Sequence, residues 1–202
     1  TPEALVESAL RHVRLLEKFD FTEICISVKS SDVPLNMAAY RLLHEKVDYP
    51  LHLGVTEAGT TEEGIVKSAV GIGSLLADGI GDTIRVSLTD DPVEEVKAAI
   101  LILKSLDLYG DCVNVVSCPT CGRTKIDMIP IANAITAATA NMHKKLKIAV
   151  MGCVVNGPGE AADADIGIAG GDGCAVLFKK GNIVKKIRED EIIDTLLKEI
   201  ES

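Results

Sequence analysis

Aromatic residues are scarce in this chain. Of its 202 residues, 3% are aromatic, and none is Trp. Exposed aromatic rings are the platforms on which many nucleic-acid-binding proteins stack bases, so their scarcity argues against that role. The net charge of −9 argues in the same direction, because the field of the whole protein would repel a polyanion. We therefore expect no nucleic-acid partner, while a small anionic ligand would need only a few local cations.

Long apolar runs are also missing. The longest, around residues 98–103, is far shorter than the roughly 20 residues that cross a bilayer, so no membrane segment is predicted. The first residues have neither the basic nor the apolar region of a secretory signal peptide. Without an export signal, the six Cys residues are better explained as reduced thiols or metal ligands than as disulfides.

The first part of the sequence alternates between helical and strand patterns. Strand-like runs rich in β-branched residues begin 28 to 32 residues apart, a spacing typical of βα units joined by right-handed crossovers. The predicted strands are 23–28, 51–56, 83–88 and 112–116. Four parallel βα units predict either a small open α/β sheet or the second half of a (β/α)8 TIM-type barrel, which has eight.

The pattern then changes. A helix is predicted over 128–145, followed by short strands and a last amphipathic helix over 190–201, which together indicate a smaller α+β domain. We therefore predict two domains, residues 1–116 and 117–202. A half barrel is expected to expose strand edges and an apolar interior, which would favour the association of two chains.

Three Cys residues are distinguished by their spacing. Cys118 and Cys121 are two residues apart, so a tight turn can direct both sulfurs to one metal centre. Cys153 opens a loop rich in Gly and Pro that ends at Glu160, and such a backbone can approach a bulky group closely. Three thiolates and a carboxylate suit an iron–sulfur cluster with one weakly held iron. A thioredoxin-like redox pair and a structural zinc site are the alternatives at this point.

Polar residues also gather at the ends of the predicted strands of the first part. Lys29 and Glu57 follow their strands, and Arg85 and Ser87 share one face near the end of a third. Catalytic groups of (β/α)8 proteins lie at this end of the barrel. Lys29 and Arg85 are suited to binding phosphate, and Glu57 is suited to moving a proton.

The chain resembles the 4-hydroxy-3-methylbut-2-enyl diphosphate synthases of the non-mevalonate isoprenoid pathway. The resemblance rests on SCPTCGR (117–123) and MGCVVNGPGE (151–160), with support from LHLGVTEAG (51–59), VKSA (66–69) and GIGDTIRVSLTDDP (79–92). It implies an oxidoreductase that opens 2-C-methyl-D-erythritol 2,4-cyclodiphosphate to 4-hydroxy-3-methylbut-2-enyl diphosphate by two-electron reduction with loss of water. It also implies a [4Fe-4S] cluster and ferredoxin or flavodoxin as electron donor.

The resemblance also implies roles for individual residues. Four correspond to the cluster ligands: Cys118, Cys121, Cys153 and Glu160. Four correspond to groups that contact the substrate: Lys29, Arg85, Ser87 and Asn156. Glu57 corresponds to a catalytic carboxylate beside the substrate, and Glu160 to a catalytic ligand that a substrate oxygen displaces.

Members of this family begin with four further βα units that have no counterpart in this sequence. We therefore expect the chain to be inactive alone, because the missing half would hold much of the substrate's charge. The resemblance implies a homodimer, located in a bacterial cytoplasm or a plastid stroma. The alternative is a non-catalytic iron–sulfur or zinc module for electron transfer or structure. Glu160 distinguishes the two, because a cluster that only passes electrons gains nothing from a labile ligand.

Overall fold

The computed structural model describes residues 1–155, 159 and 161–201. The chain divides into two compact units, Thr1–Tyr109 and Gly110–Ser202. Within the described residues, no helix is both long enough and apolar enough to cross a membrane. The division falls before the strand predicted at 112–116, whereas we predicted a boundary just after it.

The first unit alternates helices with short parallel strands. Its elements are α1 (Pro2–Glu17), α2 (Val33–His44), β1 (His52–Gly54), α3 (Thr61–Ala77), β2 (Thr83–Arg85) and α4 (Pro92–Ser105). β1 pairs with β2 in parallel, and Ile26 forms a parallel bridge to Leu51. This order of elements agrees with the predicted α/β class.

The helices of the first unit begin at local capping signals. α1, α2 and α4 each have Pro in the first turn and a side-chain cap just before it. The capping residues are Thr1, Asp32 and Asp91. Each cap satisfies an N–H group that the helix leaves unpaired, which stabilises a helix by about 1 kcal/mol, and Pro fits there because no intrahelical donor is required. These signals explain where the three helices begin.

The segment predicted as the first strand is irregular. Around Ile26 it forms a single bridge, because the Tyr40 hydroxyl takes the place of a neighbouring strand. That hydroxyl accepts a hydrogen bond from the Val28 N–H at 3.2 Å and donates to the His52 carbonyl oxygen at 2.6 Å. Tyr40 is fully buried, so these contacts join the segment to β1 inside the core.

The parallel segments of the first unit have one apolar face and one polar face. Side chains alternate along a strand, and the apolar set is buried beneath the helices: Ile26, Val28, Leu51, Leu53, Val55 and Val86. The alternate positions carry Ser27, Lys29, His52, Thr83, Arg85 and Ser87. The prediction of an apolar interior is therefore wrong for the described residues. An exposed apolar interior is thus no reason to expect two chains to associate.

The strand predicted at 112–116 does not join the first unit. As β3 (Val113–Ser117), it pairs in parallel with β4 (Leu146–Met151). Val113 packs in the same core as Ile135 and Ile148, so burial of its apolar side chain favours this partner. The described part of the first unit thus has three parallel segments, where we predicted four.

The second unit is built on a sheet with the strand order β3-β4-β5-β6-β7. Its further elements are α5 (Met128–Thr139), β5 (Ile166–Gly171), β6 (Cys174–Lys179), β7 (Asn182–Arg188) and α6 (Ile192–Glu201). β3, β4 and β5 are parallel, whereas β5, β6 and β7 are antiparallel. Apolar residues of both helices pack with those of the sheet in one core, as expected for an α+β domain.

Glu199 joins α6 to the antiparallel end of this sheet. Lys179 of β6 and Lys185 of β7 each place Nζ 2.8 Å from a Glu199 carboxylate oxygen. Hydrogen bonds from Lys179 and then Lys185 lower the pKa of Glu199 to about 2. The carboxylate therefore stabilises the folded state in its charged form.

We predict that Glu199→Gln lowers the urea midpoint of the second unit at pH 7, modestly because these ion pairs contact solvent. The pKa of the folded state lies below the usual 4.5, so the stabilisation is complete above about pH 4.5 and is lost as the pH falls towards 2. Far-ultraviolet circular dichroism during urea unfolding measures this difference across that window. Glu201→Gln on the same helix is the control; an equal loss in both variants, or a loss independent of pH, would contradict the prediction.

Candidate functional site

Two thiol-bearing loops leave the same edge of the sheet in the second unit. β3 and β4 are parallel neighbours, with Ser117 opposite Val150, so the loops that follow them start side by side. The first loop carries Cys118 and Cys121, and the second carries Cys153. The carboxyl ends of parallel strands are where open α/β sheets bind ligands.

Hydrogen bonds to Gly152 join the two loops. The Gly152 N–H donates to Cys118 Sγ at 3.2 Å, and the Lys125 N–H donates to the Gly152 carbonyl oxygen at 2.9 Å. A Cβ atom at Gly152 would lie 2.6 Å from Met128 Sδ and 3.0 Å from the Thr124 side chain. The loops therefore approach this closely because residue 152 has no side chain.

The three thiols differ in their surroundings. Cys121 is exposed, Cys118 is half-buried and Cys153 is buried. The pKa of the Cys121 thiol is lowered, chiefly by a hydrogen bond from the Arg123 backbone N–H. Desolvation, the next largest effect, opposes this shift, and the Thr124 and Arg123 side chains add smaller lowering effects. A lowered pKa favours the thiolate, which is the form that binds metal.

The donor chemistry of these residues suits an iron–sulfur cluster. Among the residues that the structure describes, no three His, Cys, Asp or Glu side chains are grouped so as to hold one ion. In a cluster, each thiolate binds its own iron, and thiolates are the usual ligands. Cys118, Cys121 and Cys153, carried by two hydrogen-bonded loops, supply that donor chemistry. Glu160 and Asn156, predicted as fourth ligand and substrate contact, lie outside the described residues.

In the first unit, Lys29 and Arg85 lie on the polar face of the sheet. Arg85 is opposite Gly54 in the strand register, and a Cβ atom at Gly54 would lie 2.8 Å from Lys29 Cε, so the lysine side chain lies over Gly54. Desolvation lowers the pKa of Lys29, and repulsion by Arg85 lowers it further. Neither cation forms an ion pair with another described residue. Two such cations are suited to bind a phosphate or diphosphate.

Sequence reasoning missed His52, which shares this face. His52 Nδ1 lies 2.7 Å from Thr83 Oγ1. Desolvation, followed by the charges of Lys29 and Arg85, lowers the pKa of His52, so its ring is neutral at pH 7 and can donate or accept a hydrogen bond. The sequence LHLGVT could have identified His52, because side chains alternate between the two faces of a strand and His52 therefore shares a face with Gly54.

Glu57 and Ser87 lie just beyond the strands that precede them, since β1 ends at Gly54 and β2 ends at Arg85. Glu57 is exposed and has a φ of +52°, a left-handed conformation that is uncommon for residues other than Gly and that is often found at functional sites. The Thr56 N–H donates to the Ser30 carbonyl oxygen at 3.2 Å, so the loops that carry Lys29 and Glu57 are neighbours. Ser87 Oγ is buried without a partner among the described residues, and a ligand oxygen would relieve that cost.

The structure therefore forms two groups of candidate residues, one in each unit. The polar face of the first unit holds Lys29, His52, Arg85 and Ser87, with Glu57 at the end of β1. The second unit holds the three thiols.

Family comparisons give a similar division of the chain. Residues 1–100 match a family model described as the GcpE TIM-barrel domain, and residues 114–202 match one described as the GcpE protein C-terminal domain. The first match agrees with the parallel strands and helices of the first unit. The stretch between the two matches contains the division between the compact units.

Individual relatives cover the whole chain. The 4-hydroxy-3-methylbut-2-en-1-yl diphosphate synthase (flavodoxin) of Ruminiclostridium cellulolyticum is 61% identical over 200 residues, which are 99% of this chain and 57% of the relative. The protein of the same name from Caldanaerobacter subterraneus subsp. tengcongensis is 63% identical over 201 residues, which are 100% of this chain and 57% of the relative. The chain thus spans little more than half the length of these curated relatives.

We predict that Gly152→Ala destabilises the second unit by about 1–3 kcal/mol, because the added methyl group overpacks the contact with Met128 and Thr124. It should also speed the reaction of the buried Cys153 with a thiol reagent. Gly122→Ala is the matched control, since a Cβ atom there meets nothing within 4 Å. Urea unfolding and thiol labelling measure the two effects, and equal stability of the two variants would refute the proposed fit at Gly152.

Proposed function

The chain belongs to the GcpE family, and on this basis we propose that it forms part of an iron–sulfur oxidoreductase, a 4-hydroxy-3-methylbut-2-enyl diphosphate synthase. The proposed reaction is the two-electron reductive opening of 2-C-methyl-D-erythritol 2,4-cyclodiphosphate to 4-hydroxy-3-methylbut-2-enyl diphosphate, with loss of water. The observation that supports it most directly is the pair of thiol-bearing loops joined through Gly152, since Cys118 Sγ accepts the Gly152 N–H at 3.2 Å.

The proposed cofactor is a [4Fe-4S] cluster held by Cys118, Cys121, Cys153 and Glu160. When bound, such a cluster supplies electrons to the substrate. The hydrogen bonds that lower the pKa of Cys121 favour the thiolate form of this ligand, and the Gly152 N–H donates to Cys118 Sγ. A carboxylate is a harder ligand than a thiolate and is more easily exchanged at iron in such a site. Glu160 is therefore proposed as the exchangeable ligand.

The polar face of the first unit is proposed to bind the substrate. Lys29 and Arg85 neutralise the diphosphate, and Ser87 Oγ donates to one of its oxygens. Asn156 is proposed as a further contact. Glu57, exposed just after β1, is proposed to protonate the oxygen that leaves as water.

The proposed electron donor is flavodoxin, which the names of the two relatives include, with ferredoxin as the alternative. Both relatives are bacterial, which favours a bacterial cytoplasm over a plastid stroma. A homodimer is proposed from the family resemblance. Because the chain spans 57% of each relative, we expect it to be inactive without the remaining part.

We predict that the chain, reconstituted anaerobically with iron and sulfide, is brown and binds about four iron ions per molecule, as one cubane requires. Colorimetric iron and sulfide assays measure this content. Cys118→Ser should lower it sharply, whereas Cys25→Ser, which removes an exposed thiol of the first unit, should not. A colourless protein with stoichiometric zinc would disprove the cluster and favour the structural alternative.

We predict that Glu160→Cys distinguishes a cluster that takes part in catalysis from one that only transfers electrons. The test protein is this chain preceded by the remaining part of the Caldanaerobacter relative. Glu160→Cys should retain the iron but lower kcat by more than the roughly 10–100-fold typical of changes around a metal's outer shell, because a thiolate is harder to displace. Glu201→Cys is the control. Full turnover by Glu160→Cys would support a module that only passes electrons.

A further inference from the structure

Thr124 lies where the two thiol-bearing loops meet, although neither its spacing nor its residue type marked it as functional. It closes a tight turn with Cys121: the Cys121 N–H donates to Thr124 Oγ1 at 3.1 Å, and the Thr124 N–H donates to the Cys121 carbonyl oxygen at 3.0 Å. The conformation of Cys121 is thus defined by Thr124 on both sides of the cysteine's backbone.

The other side of Thr124 contacts the second loop. A Cβ atom at Gly152 would lie 3.0 Å from both Thr124 Oγ1 and Thr124 Cγ2, so both branches of the threonine side chain face Gly152. The next residue, Lys125, bonds the Gly152 carbonyl oxygen, while the Gly152 N–H bonds Cys118 Sγ. Cys153 follows directly. One half-buried side chain therefore lies against the Cys121 turn and against Gly152, which precedes Cys153 and bonds Cys118.

The hydroxyl group of Thr124 can take part in two hydrogen bonds. A hydroxyl oxygen accepts one hydrogen bond while its hydrogen donates another. Here the oxygen accepts the Cys121 N–H, which leaves the hydroxyl hydrogen able to donate to a second group. Hydrogen bonds to ligand sulfurs are among the features that set the reduction potential of iron–sulfur clusters.

We propose that Thr124 is a positioning residue of the cluster site: its hydroxyl orients Cys121 and its branched side chain spaces that turn from Gly152. This inference rests on the proposed cluster. It assigns Thr124 two effects on the bound group, retention of iron and a less negative reduction potential, since a hydrogen bond to a sulfur ligand stabilises the more negatively charged, reduced form. Neither effect requires contact with substrate.

The test compares three variants after anaerobic reconstitution. Thr124→Val preserves the branched shape but removes the hydroxyl, and Thr124→Ser preserves the hydroxyl. Thr120→Val is the matched control, because Thr120 is exposed in the same loop. We expect Thr124→Val to lose iron to a chelator about tenfold faster, in the range that changes to ligand-supporting residues produce, and to show a more negative midpoint in a potentiometric titration followed by electron paramagnetic resonance. Thr124→Ser should restore the potential, and Thr120→Val should match the wild type.

If the wild type holds iron and Thr124→Val matches it in both iron loss and potential, the inference is overturned. If the wild type holds no iron, the proposed function fails instead. The positioning role is then judged on the metal-free chain by hydrogen exchange of the Cys121 amide. Thr124→Val should speed that exchange because it removes the acceptor, and an unchanged rate overturns the inference.

Discussion

The two hydrogen bonds at the Gly152 peptide are the contacts on which the candidate metal site depends. Parallel pairing of β3 with β4 brings the two loops to one edge of the sheet, but strand pairing alone does not set their separation. That separation is set where Gly152 bonds Cys118 Sγ and Lys125. Residue 152 must lack a side chain for this approach, and Thr124 fills the space that a side chain would otherwise occupy.

A different constraint applies to the first unit, where two cationic side chains share one sheet face in a chain of negative net charge. The chain carries a net charge of −9, yet Lys29 and Arg85 share one sheet face without an ion pair to another described residue. Desolvation, and then the charge of Arg85, lowers the pKa of Lys29, so an anion bound beside the two cations would favour the charged form of the lysine. The local charge of the face, and not the charge of the whole chain, defines the ligand it suits.

Much of this could be predicted from the sequence because the signals were local. The close spacing of Cys118 and Cys121 and the polar residues near strand ends can each be recognised within a few positions of the sequence. The partner of the strand at 112–116 was not, since periodicity identifies a strand but not its neighbour, and pairing depends on a core formed far along the chain. Thr124 and His52 were missed for the same reason: their roles come from contacts with Gly152 and Thr83, which only the folded chain brings near. Glu160 and Asn156 stay predictions.

The left-handed backbone at Glu57 has a consequence for protein engineering. A non-glycine residue in that conformation costs about 1–2 kcal/mol, and Gly or Asn adopts it more readily. Selection for thermal tolerance alone would therefore favour replacing Glu57, the residue proposed to protonate the substrate. At position 57, the residue proposed to serve activity therefore differs from the residues that would favour stability.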